Sequence, residues 1–160
     1  MERIDRRGAA RATALTRRAL FAGGVASLAL TLAGCVHLGL GERSDAEAVQ
    51  RALQAEVEAL PEYADGTVKY VDGVSSGTTI SGVLRVRSSS REQTEQALNR
   101  IHEALVRTYI EQPHVRRSFV RMTVSPSDDA QATVESADVA PAEHGATPTT
   151  DDIIAQFGLE

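Results

Sequence analysis

The chain has 160 residues, with 17 basic and 22 acidic side chains and a net charge of −5. Apolar residues make up 42% of it and charged residues 24%, which excludes wholesale disorder and a multi-pass membrane protein. The acidic balance disfavours a general nucleic-acid binder, so no nucleic-acid partner is expected. The single cysteine excludes an intramolecular disulfide framework and a cysteine-rich zinc site.

The first 34 residues are predicted to form an export signal. They carry six arginines and two acids, a net charge of +4, and end in an uncharged run over residues 19–34. A membrane-spanning helix needs about 20 apolar residues, so this run is too short to span comfortably. A basic region, a short apolar region and small residues at its end are the parts of a secretory signal.

The apolar run ends in Leu32-Ala33-Gly34-Cys35, which resembles the lipobox of bacterial lipoproteins residue for residue. The resemblance implies that diacylglycerol is attached to the Cys35 sulfur and that the chain is cleaved before this residue. Acyl chains such as palmitate would then hold the protein on the outer face of the cell membrane. The alternative is a retained membrane anchor in which Cys35 is a buried, inert thiol.

The segment upstream contains Arg17-Arg18 within Thr16-Arg17-Arg18-Ala19-Leu20-Phe21, which resembles a twin-arginine export signal. That resemblance implies export in the folded state. The order Leu20-Phe21 reverses the usual order of the motif. An ordinary Sec signal with two arginines in its basic region therefore remains an equal alternative.

The remainder of the chain is predicted to consist of a lipidated tether over 35–43, an α+β domain over 44–137, a linker over 138–148 and a C-terminal docking helix over 149–160. Its first helix, about 44–60, begins at the capping-box pattern Ser44-Asp45-Ala46-Glu47 and stops at Pro61. Alternating apolar residues near 67–73 and 79–87 predict two strands that pair as a hairpin.

The second half of the domain is likewise predicted to contain a capped helix and two strands. Ser90 and Gln93 form a capping pattern that opens a helix over 90–112, and strands are predicted at about 115–124 and 131–137. Thr150 is predicted to cap the terminal helix, which either docks on the core or serves as a short recognition peptide. The order is α-β-β-α-β-β plus a short C-terminal helix, an α+β fold with helices packed on one face of a small, mainly antiparallel sheet.

Residues 46–124 are similar in outline to the BON domain of bacterial envelope proteins. Asp72-Gly73 and Ile80-Ser81-Gly82-Val83 match that family's glycine-ended strand and its apolar-x-Gly-x-Val strand. The helix over 90–112 is longer than the family's helix, and Pro113-His114-Val115 replaces its Gly-Val junction. The resemblance implies binding at a membrane surface or to lipid.

Side chains that could perform catalysis are scattered. The four histidines, at 37, 102, 114 and 144, include no pair at metal-ligand spacing, so no metal site and no cofactor are expected. His102 borders the apolar stripe of its helix and is interpreted as a residue of the helix flank. No nucleophile elbow or phosphate-binding loop occurs, which predicts a non-catalytic protein.

The strand alternation predicts that one face of the sheet is basic. If the even-numbered strand residues face the core, the opposite face carries Lys69, Arg85, Arg87, Arg117 and Arg121. Such a face would bind an anionic lipid, a cell-wall polymer or an acidic envelope protein. The alternative is the ordinary solvated face of an amphipathic sheet, with some arginines paired to neighbours such as Glu135.

We therefore expect a membrane-anchored extracytoplasmic lipoprotein with a non-catalytic binding or structural role at the cell envelope. The alternative is an accessory subunit that docks on a membrane or an exported protein, and a small envelope enzyme comes third.

Overall fold

A computed structural model describes residues 42–143 and 145–159. The predicted export signal with Arg17 and Arg18, the lipobox Leu32-Ala33-Gly34-Cys35 and most of the tether lie outside this range. Within it the elements follow the order α1 (Ala46–Glu58), β1 (Tyr63–Gly73), β2 (Gly77–Val86), α2 (Arg91–Ile110), β3 (Ser118–Pro126), β4 (Val134–Glu135), α3 (Ser136–Val139) and α4 (Thr150–Phe157). This order confirms the α+β class.

The four strands form one sheet in the order β1-β2-β3-β4. β1 and β2 pair antiparallel as the expected hairpin, and β4 pairs antiparallel with β3. β2 and β3 pair parallel, because α2 carries the chain back to the end of the sheet at which β2 begins. Two of the three pairings are thus antiparallel, and the sheet as a whole is mixed.

The helices pack on the face of the sheet that the alternation predicted. Its core residues are all buried, and they are Val68, Tyr70, Ile80, Leu84, Val86, Val120, Met122 and Val124. α1 adds Val49, Leu53 and Val57 to this core. Each such aliphatic side chain contributes about 1.5–3 kcal/mol when it is fully buried. The odd-numbered side chains consequently lie on the opposite face.

Two of the predicted helix caps are wrong by one residue. Asp45, not Ser44, caps α1, and its carboxylate accepts hydrogen bonds from the backbone N–H groups of Glu47 and Ala48. Ser44 is instead hydrogen bonded to the hydroxyl of Tyr70 at 2.9 Å. In the same way Thr149 caps α4, whereas the predicted cap Thr150 accepts a hydrogen bond from the backbone of β3. In both cases two adjacent side chains could cap, and a tertiary partner engages one of them.

The third and fourth strands also differ from the expectation. β3 begins at Ser118 rather than near 115, after a turn in which His114 has a positive φ of 58°. β4 is limited to Val134–Glu135 because Ser136 opens the short helix α3. The segment expected to be a linker, 138–148, contains buried Ala140, and the carbonyl of Pro148 accepts a hydrogen bond from β3.

The terminal helix α4 packs within the domain. Ile153 is fully buried in the core together with Leu159 of the residues that follow the helix. A capping box joins Thr149 and Asp152 at its start. The apolar residues of α4 therefore serve the core of this chain. In the described part of the chain, no helix combines the length and the apolar character that are needed to cross a bilayer.

Candidate functional site

The outer edge of β1 is occupied by side chains from α1. Gln54 accepts a hydrogen bond from the backbone N–H of Val68 at 2.7 Å and donates to the carbonyl of Gly66 at 3.3 Å. Gln50 accepts from the N–H of Tyr70 at 3.3 Å. An exposed edge strand is a template for pairing with another chain, and these two glutamines block it.

The outer edge of β3 is occupied as well. Three of its N–H groups that point away from β2 have acceptors elsewhere in the domain: Ser118 donates to Thr150 Oγ1 at 3.1 Å, Val120 to the Pro148 carbonyl at 2.8 Å and Met122 to Ser136 Oγ at 2.8 Å. β4 then pairs with the following residues of β3. Strand addition is thus disfavoured at both edges, which leaves the uncovered sheet face as the candidate site.

This uncovered face is crossed by rows of residues that the strand register places side by side. The rows are Val71–Thr79–Phe119, Lys69–Ser81–Arg121 and Thr67–Val83–Thr123. Adjacent strands lie about 4.8 Å apart, so the Cα atoms of Lys69 and Arg121 lie about 10 Å apart on either side of Ser81. We call the residues of these three rows together with Arg85 and Arg117 the open face.

The five predicted basic residues differ in whether their side chains have a hydrogen-bond or ion-pair partner. Within the described residues the side chains of Lys69, Arg117 and Arg121 form neither an ion pair nor a hydrogen bond. Arg85 makes a long contact of 3.5 Å with the Ser127 carbonyl. Arg87 lies beyond β2 and donates to the Pro61 carbonyl at 2.7 Å, so its guanidinium is held at the sheet's end.

Acidic side chains are few on the open face. The strand register places Asp65 opposite Arg85 and Glu135 opposite Thr123. Among the described residues neither carboxylate forms an ion pair with a basic residue of the open face, so the pairing with Glu135 that belonged to the alternative interpretation of this face is absent. The four basic residues of the open face therefore outnumber these two carboxylates, so the face has a local excess of positive charge in an acidic domain.

A shallow depression of about 460 Å³ lies at the centre of the open face. Its lining combines two of the three unpaired cations with hydroxyl groups, backbone groups and one exposed apolar side chain, and includes Lys69, Arg121, Ser81, Thr67, Thr123, Gly82 and Val83. Gly82 lies beneath the floor, and a Cβ there would come within 2.5 Å of the Met122 methyl group and 3.0 Å of the Thr67 carbonyl oxygen, so a larger residue would require Met122 to shift. Ammonium, guanidinium and hydroxyl groups are hydrogen-bond donors to oxyanions, so the depression is suited to an anionic group.

A second polar cluster lies at the end of β1 and has a structural explanation. The buried carboxylate of Asp72 accepts hydrogen bonds from Arg116 and Ser44 and pairs with Arg43. Burial raises the pKa of Asp72, but these hydrogen bonds and the two arginine charges outweigh it and hold the pKa below its ordinary value. The cluster ties the start of the domain to the segment that leads into β3.

Sequence reasoning missed the pair formed by His102 and Ser136. His102 Nε2 lies 2.9 Å from Ser136 Oγ, which also accepts the N–H of Met122. His102 is 0% exposed, and burial lowers the pKa of its imidazole to about 4. The interpretation of His102 as a residue of the helix flank is therefore wrong, because its side chain is buried in the core, and its position beside the apolar stripe was the only sequence signal for this contact. Because both side chains are buried, this pair does not present a nucleophile to solvent.

No group of three or more His, Cys, Asp or Glu side chains within residues 42–143 and 145–159 has the arrangement of a metal site. The chain matches no protein-family model, no curated protein and no solved structure. The resemblances to the lipoprotein lipobox and to the BON domain therefore stay predictions.

Proposed function

We propose that this protein is an extracytoplasmic lipoprotein, anchored through Cys35, whose open face binds an anionic partner without catalysis. The observation that carries the binding role is the free pair of Lys69 and Arg121, which flank Ser81 in one row. Free cations on a hydroxyl-bearing face of an acidic domain attract anions and orient the domain toward them. The anchor rests on the lipobox and on the basic, short apolar segment before it.

The arrangement of the domain favours the open face over its other surfaces. The two sheet edges are capped, and α4 uses Ile153 within the core rather than offering it to a partner. On the open face Val71, Val83 and Phe119 are 53%, 70% and 41% exposed, and the strand register places polar residues such as Thr79 and Ser81 between them. Such a mixed surface suits a polar, charged partner better than a large apolar one.

The binding role is tested by site-specific photo-crosslinking in living cells. A photoreactive residue at Val83 is expected to give a crosslinked product, and the same residue at Arg51, exposed on α1, is not. The double variant Lys69→Glu/Arg121→Glu should lose the Val83 product, whereas Arg51→Glu, which changes the charge at a matched exposed arginine, should retain it. Equal products from both positions, or a product that survives the double reversal, would contradict the proposal.

The anchor is tested separately by Cys35→Ser. This variant should stay uncleaved and should incorporate no labelled fatty acid, because serine lacks the thiol that forms the thioether. The parent chain should fractionate with membranes and carry the label. Identical mass, labelling and fractionation of the two proteins would contradict the lipoprotein assignment and leave the open face to be judged by crosslinking alone.

A further inference from the structure

The basic residues of the open face lie at regular intervals along the strand direction. Because Ser81 pairs with Arg121 and Arg85 pairs with Ser125, Arg85 lies four residues beyond the Lys69–Arg121 row. Arg117 precedes Arg121 by four residues and lies one residue before β3. At about 3.3 Å per residue, these positions are spaced by about 13 Å on each side of the central row.

The open face thus presents three cationic stations on a line about 26 Å long. Arg117 forms the first station, Lys69 with Arg121 forms the second, and Arg85, which lies opposite Asp65 without an ion pair between them, forms the third. A compact anion would contact the central station only, since the outer stations lie well beyond the reach of one phosphate or carboxylate group. An extended anion that lies along the strands would contact all three.

The spacing and the chemistry of this face point to one class of ligand. We infer that the open face binds a linear polyanion, a chain of phosphate or phosphodiester groups, laid along β2 and β3 across all three stations. This inference rests on the proposed function and names its ligand class. Hydroxyl groups of Thr67, Ser81 and Thr123 lie at or beside the central station and donate to phosphate oxygens between the charged contacts.

Other partners fit the face less well. A protein partner would be expected to find a large aromatic or apolar anchor, and among the described residues the only such side chain lining the central depression is Val83, beside Lys69, Ser81 and Arg121. A single-stranded nucleic acid would need aromatic rings on which successive bases stack, and Phe119 is the single aromatic side chain among the three rows. A linear polyanion needs neither a large apolar anchor nor stacked aromatic rings, because its repeated charges provide the contacts.

The inference predicts that affinity depends on ligand length. The full chain, purified from membranes in a neutral detergent, is titrated with orthophosphate, with tripolyphosphate and with linear polyphosphate long enough to span the three stations. Spanning chains should bind at least about tenfold more tightly, per mole of phosphate, than tripolyphosphate, and the affinity should fall steeply with salt. Arg117→Glu, Arg121→Glu and Arg85→Glu should each weaken binding, whereas Arg51→Glu should not.

Three binding results would each overturn the inference while leaving the proposed function in place, and a fourth outcome follows from comparison with the crosslinking. These are equal binding of tripolyphosphate and long chains, an effect of Arg121→Glu without any effect of the outer variants, or tighter binding to vesicles of anionic phospholipid than to the polymer. Absence of polyphosphate binding together with an intact Val83 crosslink would likewise overturn the inference alone. Absence of both would overturn the inference and the proposed binding role.

Discussion

His102 is the residue whose chemistry depends most on its surroundings. In the unfolded chain its imidazole has a pKa of about 6.5, and burial lowers this value to about 4 in the folded domain. The unfolded state therefore binds more protons than the folded state between these two values. The free energy of unfolding should consequently decrease as the pH falls through this window.

We expect the domain to lose about 2 kcal/mol of stability between pH 7.5 and pH 5, a range in which ordinary carboxylates remain charged. His102→Gln, which cannot titrate, should lower the stability at pH 7.5 but remove most of this pH dependence. Urea unfolding of both proteins at the two pH values measures the effect. An equal acid-induced loss in parent and variant would assign the dependence to another group.

At the scale of single residues, the sequence predicted where polar side chains would act but not always what they would bind. Adjacent cap-forming residues such as Ser44 and Asp45 differ little in intrinsic capping preference. The choice between them was made by Tyr70, which lies 26 residues further along the chain and hydrogen bonds Ser44. No local pattern contains that contact.

The two outer edges of the sheet are protected against pairing with another chain by different elements. The long strand β1 is paired on one side, and side chains of α1 satisfy its other edge. The helix that buries Val49, Leu53 and Val57 beneath the sheet thus also places its glutamines beside the edge. This dual use of α1 protects the edge of the 11-residue strand β1 against pairing with another chain.

Gln54→Ala should expose this edge. We expect the free energy of unfolding to fall by about 1 kcal/mol, because the buried N–H of Val68 loses its acceptor, and we expect self-association to increase with concentration. Gln112→Ala removes a glutamine that follows α2 and donates to the Thr108 carbonyl of that helix, and it serves as the matched control. Urea unfolding and light scattering measure the two effects, and parent-like behaviour of Gln54→Ala in both would show that the edge does not need this residue.

The predictions of helices and strands were correct where a segment with hydrophobic periodicity extended over many residues. The helices near 44–60 and 90–112 correspond to α1 and α2, and the alternating residues of three strands all face the core. β4 was predicted too long, because its residues alternate like a strand but Ser136 turns inward to bond Met122 and His102. Short elements contain too few residues for a period to outweigh such tertiary contacts.

At the scale of the whole molecule, the last residues of the chain complete the core that the first elements begin. α4 packs against α2 and β3, and Thr150 satisfies the N–H of Ser118 at the start of β3. Residues 35–160 carry 11 basic and 20 acidic side chains, a net charge of −9. The excess of basic over acidic side chains on the open face is therefore opposite in sign to the charge of the domain as a whole.

Removal of residues 149–160 should destabilise the domain rather than simply delete a docking peptide. Ile153→Ala alone is expected to cost about 2–5 kcal/mol of unfolding free energy, because it leaves a cavity in the core. Ala155→Lys, on the exposed side of the same helix, should change it by less than about 0.5 kcal/mol. Thermal unfolding measures the three proteins, and an unchanged melting temperature for the truncated chain would show that α4 lies outside the cooperative unit.

The sequence by itself determined the α+β class, the order of the main elements and the face of each strand that enters the core. These properties follow from local periodicity and capping, which depend only on residues that are close together in the sequence. Only the tertiary structure decided that β2 and β3 run parallel, that both sheet edges are capped and that the basic residues form three stations. Such relations depend on the register between strands that are distant in sequence, and no single segment encodes that register.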